Sequence, residues 1–301
     1  MTTDVLPAVT LGSKAKAFKN LVLLEHSVFA LPFAFIAALT AMFDASRTMH
    51  WRQLALITVA MVGARTFAMA ANRIIDREFD ARNPRTAKRE LVTGVLTVRT
   101  AWVGAIIALG VFLCAAALLN PLAFELSPLA VVPLTVYPYA KRFMSVPHAV
   151  LAVAQAVGPI GAWIAVTGAW SWPAVVLGLA VGVWIGGFDL IFACQDVETD
   201  REQGLGSVPA RWGIAAALYG ARVSHLVVMA LFVWFGLLTG AGPFWWVGLA
   251  VVAAAFVYEH SLLRPDDLSK LNRAFFTVNG FVGIALFCFA VLDLVVRGLR
   301  L

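Results

Sequence analysis

The chain has 301 residues, 61% hydrophobic and only 13% charged, with a mean hydropathy of +0.86. Composition excludes a soluble domain of this size and points to a polytopic membrane protein. The net charge of +6 then reads as basic residues held at one membrane surface, with no nucleic acid as partner.

Residues 1–20 are polar, and Lys14, Lys16 and Lys19 precede the first apolar run. That run is too long for a signal-peptide core and has no small-residue cleavage site after it, so it is expected to stay as a span. Runs long enough to cross the bilayer, about 20 residues each, fall near 21–43, 52–71, 97–119, 121–140, 147–167, 172–192, 213–238, 243–261 and 274–296. The expected fold is an all-α integral membrane protein with nine transmembrane helices. Pro32, Pro133, Pro138 and Pro159 are candidates to kink their helices. No linker or shift in composition divides the chain, so 1–301 reads as a single membrane domain. Cys114, Cys194 and Cys288 lie in or beside apolar spans, which argues against a disulfide framework and against a cysteine metal site.

An odd number of spans places the two ends on opposite sides. One set of loops comprises the N-terminus, 72–99, 141–146, 193–212 and 262–273. It holds all of the 23 Lys and Arg residues except Arg47, Arg52, Arg297 and Arg300 on the other side and Arg65 and Arg222 within spans. By the positive-inside rule the basic side is cytoplasmic and the N-terminus lies there, in a cell (inner) membrane.

Two stretches break the apolar pattern, and both fall on that side. In ANRIIDREFDARNPRT (71–86), Asn72, Asp76 and Asp80 are spaced i, i+4, i+8, so a helix stacks them on one face. Arg65 lies two turns earlier on the same stripe. In DLIFACQDVETDREQG (189–204), Asp189, Asp196 and Asp200 repeat the steps of Arg65, Asn72 and Asp76. Carboxylates near membrane depth are costly and face polar cavities. Asp76 and Asp80 with Asp196 and Asp200 offer the hard oxygens that Mg²⁺ prefers, with positions left for phosphate. Arg65, Arg77, Lys141 and Arg142 are candidates to neutralise an anion beside them. A diphosphate ester with an apolar tail fits, its head at the cytoplasmic mouth and its tail between helices; metal and bases would stabilise departing diphosphate. A single such motif reads more simply as a solvated ion-pair helix. Two on one side, in register with Arg65, read as a site.

NRIIDREFD and DVETD resemble the two aspartate motifs of the UbiA superfamily of intramembrane prenyltransferases, and RTAKRE (85–90) and YPYAKR (137–142) resemble further family segments. The resemblance covers essentially the whole chain. It implies nine helices around a central cavity opening near the cytoplasmic side, with Mg²⁺ as cofactor. It also implies transfer of a polyprenyl group from polyprenyl diphosphate to an aromatic acid acceptor, through an allylic cation. Carried over by position, Asn72, Asp76 and Asp80 hold one metal–diphosphate contact and Asp196 and Asp200 the other. Arg65, Lys141 and Arg142 bind phosphate, and Tyr139 reaches the diphosphate or the reactive carbon.

The first motif has Asn72-Arg73 where many members have Asn-Asp, and LEHSVFALPFAF puts Glu25 and His26 where many have basic residues. Local stretches such as EHSVFALPFAF and RPDDLSKLNRAFFTVNGF resemble the futalosine-route menaquinone branch, which implies a dihydroxynaphthoate acceptor. The 4-hydroxybenzoate enzymes are the alternative. Glu25 or His26 either positions or deprotonates the acceptor hydroxyl, or pairs and packs near the interface. Asp189 either faces metal or acceptor, or holds two helices together. Asp266 and Asp267 read as a helix N-cap, and His225 and His260 as packing residues. A transporter would carry its acids near the midplane, a CDP-alcohol phosphotransferase needs glycines within its aspartate series, and a soluble class I terpene synthase does not account for the spans.

Overall fold

The computed structural model describes Phe18 and residues 30–301. Lys14, Lys16, Lys19, Glu25, His26 and the beginning of the first expected span lie outside the described residues. The described chain is all-helical: α1 (Leu31–Ser46), α2 (Trp51–Ile75), α3 (Arg77–Arg82), α4 (Val98–Leu119), α5 (Pro121–Ala140), α6 (His148–Thr167), α7 (Trp172–Ala193), α8 (Val197–Glu202), α9 (Val208–Trp212), α10 (Ile214–Leu238), α11 (Pro243–Ser261) and α12 (Asn279–Val296). Among the described residues, 8 helices are long and apolar enough to cross a membrane, the fifth of them (α7) continuing through α8 and the last including the π-helical turn Arg273–Val278. Eight of the nine expected spans match these helices; the first falls on α1, whose 16 described residues are apolar but shorter than a span, and the count of nine is not reached among the described residues.

Local chemistry sets the helix ends. Thr97 Oγ1 accepts from Thr100 N at 3.2 Å, which caps α4. Asn120 caps α5 through Ala123 N and donates its amide to Ile164 O and Ala165 O, so one side chain also fixes the end of α6. Pro32 sits in the first turn of α1 rather than kinking it, because a missing N–H there has no partner to lose. Pro128, Pro133 and Pro138 lie inside α5, and Pro159 inside α6.

The core is built around α7, which is apolar on every face and buried along most of its length. It meets α6 through glycines spaced four apart. A Cβ at Gly178 would stand 2.6 Å from Ala156 O, and one at Gly182 would stand 2.4 Å from Ala152 O. Gly186 lies against the His148 carbonyl, where a Cβ would stand 3.2 Å away. Small residues let the backbones approach where lipid supplies no hydrophobic drive between helices. On another face of α7, Trp184 packs on Phe33 of α1 and donates its indole N–H to Asn279 Oδ1 at 2.9 Å. Asn279 in turn donates to Glu259 Oε1 and to Ala274 O, a carbonyl in the π-helical turn. This buried amide satisfies backbone that the wider turn frees.

Connections at one end of the bundle are short, at 47–50, 168–171 and 239–242. At the other they are long, at 76–97, 194–213 and 262–272. Both acidic motifs lie at the long-loop end.

Candidate functional site

The two motif helices break where the carboxylates begin. α2 stops at Ile75, and Asp76 takes φ −91°, ψ 3° before α3 starts. α7 stops at Ala193, a 3₁₀ turn covers Cys194–Asp196, and Asp196 takes φ −106°, ψ 10° before α8. These dihedrals fall in the sparsely used bridge region, where site residues often sit. The predicted uninterrupted stripe is thus two short stripes, each bent at an aspartate.

Basic and polar partners gather the carboxylates. Lys141, just after α5, places Nζ 2.7 Å from Asp76 Oδ2. Asp76 Oδ1 is buried and makes no hydrogen bond, with Arg142 Nη2 at 3.5 Å. Burial pushes the Asp76 carboxyl above the ordinary carboxylate range, and Lys141 pulls it back. Asp80 pairs with Arg89. Asp196 takes a fork from Arg85, whose Nε lies 3.0 Å from Oδ1 while Nη2 pairs with Oδ2, and a further donor from Asn83 Nδ2 at 3.0 Å. Asp200 accepts from Ser207 Oγ at 2.8 Å, and the same hydroxyl caps α9. Asn83 and Arg85 follow the first motif and grip the second, and Gln203 Nε2 returns the contact to Phe79 O at 3.4 Å. The two motifs form one charged patch.

Aromatic rings floor the patch. Arg85 lies over Phe192, and Lys141 and Arg142 lie over Phe79. Beyond Phe192 the rings of Phe275 and Phe188 continue inward toward Trp184.

The other sequence candidates fall in several places. Arg65 is partly buried on α2, and its Nε makes no hydrogen bond. Asn72 is partly buried one turn before Asp76. Arg77 turns away and donates to Leu91 O. Tyr139 is 42% exposed, with Arg142 stacked on its ring. Tyr137, two residues earlier, is the tyrosine that feels Asp189, Asp76 and Asp200. Asp189 lies deeper on α7, paired with His148 at 2.7 Å. Asp267 forms a tight turn with Ser269 N instead of capping a helix. His225 stacks on Phe256 and bonds His260. Sequence reasoning passed over Asn83, Arg85, Arg89, His148, Ser207 and Tyr137. The stretches ANRIIDREFDARNPRT, RTAKRE and YPYAKR contain Asn83, Arg85, Arg89 and Tyr137, but gave them no roles.

The donor set suits a divalent cation chemically, since it consists of carboxylate oxygens with one buried oxygen left unbonded. Among the described residues no three acidic, histidine or cysteine side chains stand together in metal-binding geometry; each motif carboxylate instead holds a basic or hydroxyl partner.

Known proteins resemble the chain over nearly its whole length. A 4-hydroxybenzoate octaprenyltransferase of Aromatoleum aromaticum is 31% identical over 300 residues, covering 97% of this chain and 98% of that protein. The apo structure of a UbiA homolog from Aeropyrum pernix superposes with a TM-score of 0.81 at 33% identity, over 90% of this chain and 98% of that one. A UbiA homolog from Archaeoglobus fulgidus, solved bound to GPP and Mg²⁺, superposes at 0.71 over 93% of this chain and 99% of that one; at 21% identity it speaks to the fold alone. Residues 30–281 match the UbiA prenyltransferase family, and the chain belongs to that family.

Proposed function

We propose that this membrane-embedded prenyltransferase moves a polyprenyl group from its diphosphate onto a hydroxylated aromatic acid, with 4-hydroxybenzoate as the acceptor. The curated relatives it resembles carry that substrate in their names. The observation that carries the reading is the cross-grip of the motifs, in which Asn83 and Arg85 from the first hold Asp196 of the second. Diphosphate ionisation needs cations and metal-binding oxygens from two directions at once, and this junction supplies both. The dihydroxynaphthoate acceptor remains the second reading, supported by the local stretches EHSVFALPFAF, GARTFAMAANRIIDREFDARNPRT, FDLIFACQDVETD and RPDDLSKLNRAFFTVNGF.

Mg²⁺ would be held by Asp76 and Asp80 on one side, with Asn72 beside them, and by Asp196 and Asp200 on the other. When bound, it supplies Lewis-acid stabilisation of the departing diphosphate. The side chains then have distinct tasks. Lys141, Arg142, Arg85, Arg89 and Arg65 neutralise phosphate oxygens as the allylic C–O bond breaks. The carboxylate partners that Lys141, Arg142, Arg85 and Arg89 now hold are what the metal would take over, so those four basic groups would be released toward the anion. Phe192 and Phe275 offer π faces near the allylic carbon. The long-loop end faces the cytoplasm of a cell membrane, and residues 1–301 act as one unit.

The test uses purified protein in nanodiscs with a polyprenyl diphosphate and Mg²⁺, offered 4-hydroxybenzoate and 1,4-dihydroxy-6-naphthoate separately. Prenylated product from the benzoate, lost with EDTA, is the expected result. Product from the naphthoate alone replaces the acceptor and keeps the reaction. No product from either ring overturns the reading.

A further inference from the structure

One carboxylate on the α7 stripe differs from the others. Asp76, Asp80 and Asp196 each hold a lysine or arginine, and Asp200 holds a serine beside them. Among the described residues Asp189 has no such cation. Its partner is the imidazole of His148, at 2.7 Å between Nδ1 and Oδ2. The His148 side chain is only 6% exposed and its Nε2 is buried without a partner, so the ring has no second anchor. Asp189 keeps 17% of its side chain accessible, and among the described residues its Oδ1 makes no hydrogen bond.

Depth separates Asp189 from the metal-type carboxylates as well. It lies two helical turns before Asp196, roughly 10 Å further into the bundle at 1.5 Å per residue. A diphosphate held at the motif end directs its alkyl carbon inward, so the reacting carbon and the ring belong on the Asp189 side. A carboxylate gripped by guanidinium is a poor proton acceptor. One held by a single imidazole nitrogen, with no guanidinium or ammonium partner among the described residues, leaves an oxygen open to accept a proton in a closed site. Gly186 brings α6 so close to α7 that the His148 backbone is fixed against the strand of glycines, which sets the pair.

We propose that Asp189 takes up the proton that the aromatic ring loses, and that His148 is the positioning residue that orients its carboxylate. The step rests on the aromatic-acceptor reading above and balances without any oxidant. The allylic C–O bond breaks with its electron pair on diphosphate, and a π pair of the ring forms the new C–C bond. The ring C–H bond then breaks, its pair restores aromaticity, and the proton moves to Asp189 Oδ1. His148 donates Nδ1–H to Oδ2 throughout and leaves Oδ1 toward the ring.

The experiment compares wild type, His148→Leu, His148→Asn and Asp189→Asn in nanodiscs, using acceptor carrying hydrogen or deuterium at the substituted ring carbon. An asparagine amide can donate from nearly the position of imidazole Nδ1. His148→Leu is expected to lower kcat about 100-fold, the lower end of what a positioned acid or base contributes, with the KM for prenyl diphosphate within about twofold of wild type on the same reasoning. It also acquires a primary isotope effect that wild type lacks, because ring deprotonation becomes slow. His148→Asn recovers most of the rate and loses the isotope effect, and the isosteric Asp189→Asn behaves as His148→Leu does. Full activity in His148→Leu, or equal loss in His148→Leu and His148→Asn without any isotope effect, overturns the proposal. Prenylated ring from wild type in the same runs separates failure of the pair from failure of the aromatic-acceptor reading.

Discussion

Arg85 is the side chain whose duties conflict most. In the described arrangement its fork satisfies Asp196, yet a guanidinium on a metal-type carboxylate occupies the place a cation needs. The conflict resolves if Arg85 passes from Asp196 to phosphate oxygens when metal and substrate arrive, keeping a charge-assisted fork in both states. Replacement by methionine keeps length and removes charge. Such a hydrogen bond contributes roughly 1.5–3 kcal/mol, so Arg85→Met should raise the KM for prenyl diphosphate by about 10- to 100-fold. The Mg²⁺ concentration for half-maximal activity should stay level or fall, since Asp196 loses its competitor. A steady-state titration of both ligands reads the two constants. A weaker response to Mg²⁺ with unchanged substrate KM would reverse the assignment and make Arg85 a support for Asp196 only.

The contact between α6 and α7 is the element-scale feature on which the site rests, because it joins His148 to Asp189 and carries the second motif. Gly182 allows it, since any Cβ there would stand 2.4 Å from the Ala152 carbonyl. Overfilling a packed contact costs about 1–3 kcal/mol, and here the backbone carbonyl has little room to retreat. Gly182→Val should therefore lower the melting temperature in detergent measurably. Gly110→Ala on α4, where a Cβ meets nothing within 4 Å, should leave it unchanged. Equal melting of the two variants would mean that the helices separate without penalty. This scale also marks how far the sequence could be read. Long apolar runs announce helices because each must satisfy its own backbone in lipid, and so the eight spans from residue 52 onward were placed within a few residues. The breaks at Asp76 and Asp196 gave no such signal, since i, i+4 spacing continues across them. The π-helical turn at Arg273–Val278 was hidden for a similar reason: its stabilising amide, Asn279, acts from outside the turn. Asn83 and Arg85 were missed because their partner Asp196 lies 113 and 111 residues away along the chain, and Ser207 because it serves also as a helix cap.

At the scale of the molecule, asymmetry between the two ends organises the rest. Short connections close one end, and long ones carrying both motifs, Arg85, Arg89, Lys141 and Arg142 crowd the other. A substrate with a charged head and an apolar tail meets such a protein in only one way, head among the bases and tail among the helices, because the head cannot cross the hydrocarbon. The same concentration of basic residues supports the proposed orientation, since positively charged loops tend to be retained on the cytoplasmic side. The acidic motifs, the bases and the topology thus make a single claim about which side the prenyl donor comes from. Cysteine labelling tests it in cells, with Cys114, Cys194 and Cys288 replaced by alanine as background. Glu202→Cys reports the motif end and Trp170→Cys, 61% exposed in its parent residue, reports the other. A membrane-impermeant maleimide should label Trp170→Cys in intact spheroplasts and Glu202→Cys only after permeabilisation. The opposite pattern would place the site outside, and the positive-inside reading of these loops would have to be abandoned together with a cytoplasmic donor.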